Sequence, residues 1–173
     1  MKFNVNQQDI QKSLNYCQGV IEKRSTLPIL SNVLLDASNS KLTVIATDLD
    51  LIFINIVPNI EIVEEGKTTT SSSIMYDIVR KFSSGNKIQF SSIGENKLHL
   101  ESEKSVFNLN CISATEFPLT NENFQQNEFS INSKKLLKLL NKCKFSVSND
   151  ETRHYLSGIF FHQTQSEDKI YLT

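Results

Sequence analysis

The sequence predicts an α+β fold assembled from repeated β-α-β-β-β units, each placing one amphipathic helix beneath antiparallel strands. Three observations predict it. One stretch of the chain recurs in constant register, apolar residues fall at helical spacing behind polar cap residues, and short alternating segments are divided by turns rich in Ser, Asn and Gly.

The repeat fixes how the chain is divided. Phe3-Asn4-Val5-Asn6 resembles Phe129-Ser130-Ile131-Asn132, and Leu14-Asn15-Tyr16-Cys17 resembles Leu140-Asn141-Lys142-Cys143, both at an offset of 126 (129 − 3 and 143 − 17). Leu30-Ser31-Asn32-Val33-Leu34-Leu35 matches Leu156-Ser157-Gly158-Ile159-Phe160-Phe161 at the same offset (156 − 30). Thereafter Leu42-Thr43-Val44 pairs with Ile170-Tyr171-Leu172 at an offset of 128 (170 − 42), which places a two-residue insertion in a hairpin loop, where it costs little. The first copy runs on through Ile45-Ala46-Thr47-Asp48 into a further strand, whereas the sequence ends at Thr173. The expected division is a complete first domain over residues 1–125 and the N-terminal part of a second over 126–173.

Within the first copy, residues 2–5 read as a strand and Asn6 as the N-cap of a helix, its side-chain oxygen placed to accept a first-turn amide. Ile10, Leu14, Cys17 and Ile21 form that helix's apolar face; Leu136, Leu140 and Cys143 reproduce it behind Asn132. Strands near 31–36, 41–46 and 51–57 follow, with Ser38-Asn39-Ser40 as a turn. A second unit completes the first domain: a strand over 67–70, a Ser-capped helix with Ile74, Ile78 and Phe82 on one side, and strands over 87–91, 97–101 and 105–111. Ser83-Ser84-Gly85-Asn86 and Gly94-Glu95-Asn96 supply its turns, while Phe117-Pro118 and the polar run 120–127 read as the connection to the next domain.

The totals bound the function without selecting it. Eighteen basic against nineteen acidic side chains leave a formal charge of −1, so any surface for a polyanion must come from segregating charges. The N-terminus lacks the apolar stretch of a signal peptide and no apolar run approaches membrane-spanning length, so a soluble, cytoplasmic protein is expected. Cys17, Cys111 and Cys143 are odd in number and form no Cys-x-x-Cys pair, which suggests neither a disulfide framework nor a zinc site. Cys17 and Cys143 occupy the same repeat position and read as packing residues.

No enzyme signature appears, and neither a cofactor nor a metal is implied. Asp48 and Asp50 lie two apart and could share a metal, but at a strand-to-strand turn an aspartate bonding its own backbone is the favoured reading. His99, His154 and His162 are scattered, and no Gly-rich phosphate loop or Ser elbow is present. Lys134, Lys138 and Lys142 form an i, i+4, i+8 stripe opposite the apolar side of the second copy's helix, and Lys12 matches Lys138 across the repeat. Such a stripe is either a solvated helix face or a surface turned toward a polyanion.

In its order of fragments the sequence resembles the bacterial sliding clamps, the beta subunits of DNA polymerase III. The fragments are the opening Met1-Lys2-Phe3, Arg24-x-Thr26-Leu27-Pro28-Ile29-Leu30, Thr47-Asp48-Leu49, Phe117-Pro118 and Arg153-x-Tyr155-Leu156-x-Gly158. The resemblance covers the whole 173 residues. It implies a DNA-clamp (processivity) fold, three such domains per full chain, and a homodimeric ring that encircles double-stranded DNA and tethers the replicative polymerase. DNA polymerase III and clamp loader subunits are the implied partners. The resemblance also assigns DNA contact to Lys23, Arg24, Arg153, His154 and Tyr155, to which Lys138 is added on the repeat, and places the chain-to-chain edge at Ile74, Ile78, Phe107 and Leu109. Alternation along residues 105–110 puts Phe107 and Leu109 on one face, fitting an interface or a core; for Ile74 and Ile78, core burial is the favoured reading. Leu156 and Thr173 match positions of a client-peptide pocket. The pattern departs from the family at Ser73, where a basic residue is common, at Asp150, where an amide occurs, and at His154, where a tyrosine is frequent. The alternative is a structural or protein-binding module built on the same repeat, which would show no preference for basic residues on the outward helix faces.

Overall fold

The computed structural model describes residues 1–21, 26–94, 96–119, 130–150, 152–163 and 170–172, and the chain divides into two compact units, Met1–Asn121 and Glu122–Thr173. In the first unit the elements run β1 (Lys2–Asn6), α1 (Gln7–Cys17), β2 (Asn32–Ser38), β3 (Lys41–Thr47), β4 (Ile52–Val57), β5 (Ile60–Glu64), β6 (Gly66–Ser71), α2 (Ser72–Val79), β7 (Lys87–Ile93), β8 (Lys97–Ser102) and β9 (Ser105–Ile112). The hydrogen-bonded order is β4-β3-β2-β6-β9-β8-β7-β1-β5. All the pairings are antiparallel.

That order joins two similar halves by exchange of their first strands. β1 opens the first half yet pairs with β7 of the second, while β6 opens the second half and pairs with β2 of the first. Alternation makes the exchange worthwhile: Phe3 and Val5 point inward from β1 while Lys2, Asn4 and Asn6 do not. Phe3 lies opposite Phe90 of β7, both rings fully buried and stacked with centroids 4.8 Å apart.

The two helices close this core from one side. Ile10, Leu14 and Cys17 of α1 and Met75 and Val79 of α2 are fully buried among Leu35, Val44, Ile88, Leu98 and Leu100. Gln7 Nε2 donates to the carbonyl of Val79 at 2.9 Å, and Gln18 Nε2 donates to Ser72 Oγ at 2.8 Å, so the start of each helix meets the end of the other. Between them Tyr76 donates its hydroxyl proton to Asn15 Oδ1 at 3.1 Å. A smaller apolar cluster of Leu34, Ile45 and Phe117 covers part of the opposite sheet face.

Several sequence expectations are corrected here. Asn6 stands at the N-cap position of α1 without capping it; its amide donates to Asp9 Oδ2, and the Gln7 amide reaches the Asn86 carbonyl instead. Ser71 does cap α2, accepting from the Ile74 amide. On α2 the core face is Met75 and Val79, whereas Ile74 is 54% exposed and Ile78 only packs at the margin. Ile21 is buried but lies past the end of α1. Residues 28–31 form a 3₁₀ turn rather than the start of β2. β5 is an additional strand, pairing with the outer edge of β1. Phe117 belongs to the sheet-face cluster, not to a loose connection, and residues 120–127 lie outside the described residues.

The second unit reproduces the opening of the first. α3 (Ser133–Cys143) stands 126 residues after α1 at both ends (133 − 7 and 143 − 17). A 3₁₀ turn at His154–Leu156 falls at the same offset from that at Pro28–Ser31 (154 − 28). β10 (Phe161–Gln163) then pairs with β11 (Ile170–Leu172) in the register Phe161↔Leu172, His162↔Tyr171, Gln163↔Ile170. In β2 and β3 the corresponding pairs are Leu35↔Val44, Asp36↔Thr43 and Ala37↔Leu42, an offset of 126 on one strand (161 − 35) and 128 on the other (172 − 44). The two added residues therefore sit in the hairpin loop, as the sequence alignment of the copies requires. Leu136, Leu140 and Cys143 face inward as their counterparts do, but each is half-buried.

Leu14→Ala removes a fully buried side chain and is expected to cost about 2–5 kcal/mol. Leu140→Ala, at the same repeat position but half-buried, is expected to cost less than half as much. Urea unfolding of the two variants, followed by circular dichroism, checks the order; equal losses would mean that the copies do not bury this position differently.

Candidate nucleic-acid interface

α3 carries the most strongly charged surface among the described elements. Its cap is well made: Asn132 Oδ1 accepts from the amides of Lys134 and Lys135 at 3.1 and 3.3 Å. With Leu136, Leu140 and Cys143 turned inward, the 3.6-residue period sends Lys134, Lys138 and Lys142 to the opposite side, where all three are exposed, and Lys135 is exposed beside them. No carboxylate pairs with any of these four among the described residues. Lys12, the counterpart of Lys138 on α1, is exposed as well and lines a small cavity with Asp9, Tyr16, Asn55, Ile56 and Pro58.

The loop after α3 presents Tyr155, which is 81% exposed, and Arg153, whose Nε donates to Asp150 Oδ2 at 2.8 Å. Asp150 also accepts from the Thr152 amide at 2.9 Å and the Thr152 hydroxyl at 2.6 Å. These bonds, first from the Thr152 hydroxyl, then from its amide and from Arg153, hold the Asp150 carboxyl below its ordinary range. Asp150 is thus a turn-forming acceptor that ties down the neighbouring guanidinium. The sequence flagged Asp150 as a departure but missed this pairing, although Asp-x-Thr is the spacing of an Asx turn. His154 opens the 3₁₀ turn. Lys23 and Arg24 lie outside the described residues. Ser73, another of the three departures, donates its hydroxyl proton to Gln18 Oε1 across the helix pair at 3.3 Å.

The proposed chain-to-chain edge is half core and half surface. Residues 105–109 of β9 pair with β8 alone among the described strands, leaving the other edge open. Phe107 and Leu109 share a face, but Leu109 is 7% exposed and packs in the core, while Phe107 is 38% exposed and meets Phe82 edge-on with centroids 5.8 Å apart. Ile74 and Leu109 line one groove with Asn108 and Cys111. Exposed Ile74 and Phe107, with Ile78 between core and surface, make this a partly apolar edge. In the second unit Leu156 lines a cavity of about 380 Å³ with Val147, Tyr155, Ile159 and Phe160; Thr173 lies outside the described residues.

The groups best suited to chemistry are otherwise engaged. Asp48 Oδ1 accepts from the amides of Asp50 and Leu51 at 3.1 and 2.6 Å, so it is a turn acceptor. His99 faces Asn108 on the neighbouring strand, its Nδ1 2.9 Å from Asn108 Oδ1. Burial pushes the Cys17 thiol up to about 12, which keeps it protonated near neutral pH, and raises Cys111 as well.

A core closed by two antiparallel helices beneath strands exchanged between half-units, followed by a second copy of the same opening elements, defines a clamp-type repeat protein. Residues 1–121 match the family described as DNA polymerase III beta subunit, N-terminal domain. The beta sliding clamp of Caulobacter vibrioides is 34% identical over 171 residues, covering 94% of this chain and 44% of that protein. That of Escherichia coli is 31% identical over 168 residues, covering 97% and 45%. A solved structure of Caulobacter crescentus pol III beta superposes with a TM-score of 0.90 at 32% identity, covering 99% of this chain and 46% of that one. The beta subunit from DNA polymerase of Streptococcus pyogenes shares the fold at 20% identity, with a TM-score of 0.87 over 95% of this chain and 44% of its own. The chain belongs to the family of DNA polymerase III beta subunits, the beta sliding clamps, and spans under half the length of these relatives.

Alkylation with iodoacetamide at mildly alkaline pH is expected to modify half-buried Cys143 first, Cys111 more slowly, and Cys17 only on unfolding. Peptide mapping against time checks the sequence of events; early labelling of Cys17 would contradict its burial against the sheet.

Proposed function

We propose that this chain is the leading part of a DNA polymerase processivity factor, a sliding clamp that encircles double-stranded DNA and tethers the replicative polymerase. The observation that carries the reading is the recurrence of one unit in one register, within a chain whose relatives are named beta sliding clamps. The residues proposed to contact DNA are Lys23 and Arg24 in the first unit and, in the second, Lys138 of α3 with Arg153, His154 and Tyr155. Cationic side chains there act by releasing counterions from phosphates, an attraction blind to base sequence. The full-length protein would close as a homodimer through the Ile74–Phe107 edge, with Ile78 and Leu109 packed behind it. Clamp loader subunits and DNA polymerase III would be its protein partners, the latter engaging the pocket to which Leu156 and Thr173 contribute. The domain boundary is set near residue 125, the protein works in the cytoplasm, and it carries out no chemical step: it holds DNA by topology.

Two substitutions in the full-length protein test the DNA contacts in opposite directions. Lys23→Ala with Arg24→Ala is expected to weaken DNA binding at low salt and to reduce the salt slope of log K by about 0.9 for each phosphate left without its cation. Asp150→Asn frees Arg153 and is expected to strengthen binding. Fluorescence anisotropy on duplex DNA reads both; unchanged affinity in either variant removes those residues from the interface. The edge is tested separately by Phe107→Asp in the full-length protein, for which sedimentation velocity is expected to show monomer in place of dimer.

A further inference from the structure

We propose that the first unit associates head to tail with a second copy of this chain, the open edge of β4 in one copy pairing with the open edge of β9 in the next. The inference rests on the assembly reading above, which assigns the β9 edge alone, and goes beyond it by naming the surface that this edge receives. The two edges are counterparts. The first half runs β4-β3-β2 to the exchanged strand β6, and the second runs β9-β8-β7 to the exchanged strand β1. β4 therefore ends its half-sheet as β9 ends its own, and among the described strands β4 pairs with β3 alone. Each strand also carries a phenylalanine that meets a ring from its own half's helical segment. Phe53 tilts against Tyr16 of α1 with centroids 5.9 Å apart, and Phe107 meets Phe82, just past α2, at 5.8 Å.

Charge separates these two edges from the third. An open strand edge is a template for another strand, and folded proteins guard such edges with charged side chains. β5, at the far end of the strand order, is guarded: Glu61 and Glu64 lie within its five residues, and both are exposed. Neither β4, Ile-Phe-Ile-Asn-Ile-Val, nor β9, Ser-Val-Phe-Asn-Leu-Asn-Cys-Ile, holds a charged residue. Their exposed side chains are apolar instead: Ile54 is 61% and Ile56 56% exposed on β4, and Val106 is 52% exposed on β9. Pairing the two edges continues the sheet from one copy into the next, satisfies the free backbone groups of both strands, and sets no formal charge against another. The β5 edge offers no such match, since its two carboxylates would be carried into the contact. Because the β4 and β9 edges are different surfaces, the contact is heterologous and builds an open chain or a ring, whereas β9 against β9 would stop at two copies.

The test is sedimentation velocity on the 173-residue chain over about 1 to 200 µM, a range suited to a strand-edge contact of modest area. Ile54→Lys with Ile56→Lys blocks the β4 edge; Phe107→Asp blocks the β9 edge, with Val106→Lys as a milder second variant. All four positions are exposed, so far-UV circular dichroism should match the wild type. The wild-type sedimentation coefficient is expected to rise with concentration, while each blocked variant stays monomeric. An equimolar mixture of a β4-blocked and a β9-blocked chain is expected to form a dimer and nothing larger, since each brings one intact edge. Glu61→Lys on β5 is expected to leave association unchanged. A wild type that stays monomeric throughout, a mixture that stays monomeric, or loss of association in Glu61→Lys overturns the inference. If the β4-blocked chain associates like the wild type while Phe107→Asp does not, the contact is β9 against β9; the inference falls and the assembly reading stands. Association unchanged in both β9 variants counts against both.

Discussion

The first unit depends on one constraint: β1 lies between β7 and β5, with Phe3 stacked on Phe90. Because β1 leads without a gap into α1, seating that strand in the second half's sheet also seats the helix across the second half's helix. The amide bonds of Gln7 and Gln18 then hold the two helix ends in antiparallel register. Each half's first strand lies between a strand of its own half and one of the other, β1 between β5 and β7 and β6 between β9 and β2, so it ties the two halves together. Fully buried residues from both halves, including Leu14, Leu35, Met75, Ile88 and Leu100, make one core rather than two. The outward faces of both helices are thereby fixed relative to the open edge of β9, where assembly is proposed.

Much of this was legible in the sequence because periodicity reports burial. The 126-residue offset placed the start of α3 directly behind its cap Asn132, and its change to 128 anticipated the hairpin register of β10 and β11. What stayed hidden depended on partners distant in sequence. Asn6 has the chemistry of a cap, but the Gln7 amide is satisfied by the Asn86 carbonyl from the far half of the unit, so no cap is needed. Ile74 sits at plausible helical spacing with Ile78, yet the face of a short helix is set by what it packs against, and that selected Met75 and Val79. β5 was missed although Ile60-Glu61-Ile62 alternates, because its partner strand is β1 at the chain's start.

The candidate site was legible in residue type and only partly in state. Sequence placed Lys138, Arg153 and Tyr155 on the outward surface, where they are exposed. It did not reveal that Arg153 is held by Asp150, since an i, i+3 contact across a turn depends on the Asx bonds to Thr152 that shape it. Nor did the net charge of −1 disclose any local surplus. Near-neutrality here comes from acidic residues such as Glu61, Glu64 and Glu65 gathered around β5, away from α3 in sequence and in element. Segregation rather than excess is the relevant electrostatic property.

The chemistry of the outward cations also bears on how a clamp holds without stopping. An arginine fork makes directional, bidentate bonds to phosphate, which favour a fixed register; a lysine is a hydrated point charge on a flexible stem, indifferent to the angle of approach. In the described loop the arginine is already engaged by a carboxylate, while the lysines of α3 are exposed and unpaired among the described residues. Such a surface attracts a polyanion strongly in sum and weakly at each point, so displacement by one phosphate exchanges equivalent contacts and meets only a low barrier. Under the clamp function proposed above, in which encirclement would secure residence on DNA, attraction without register is the electrostatic arrangement that leaves movement along the duplex open.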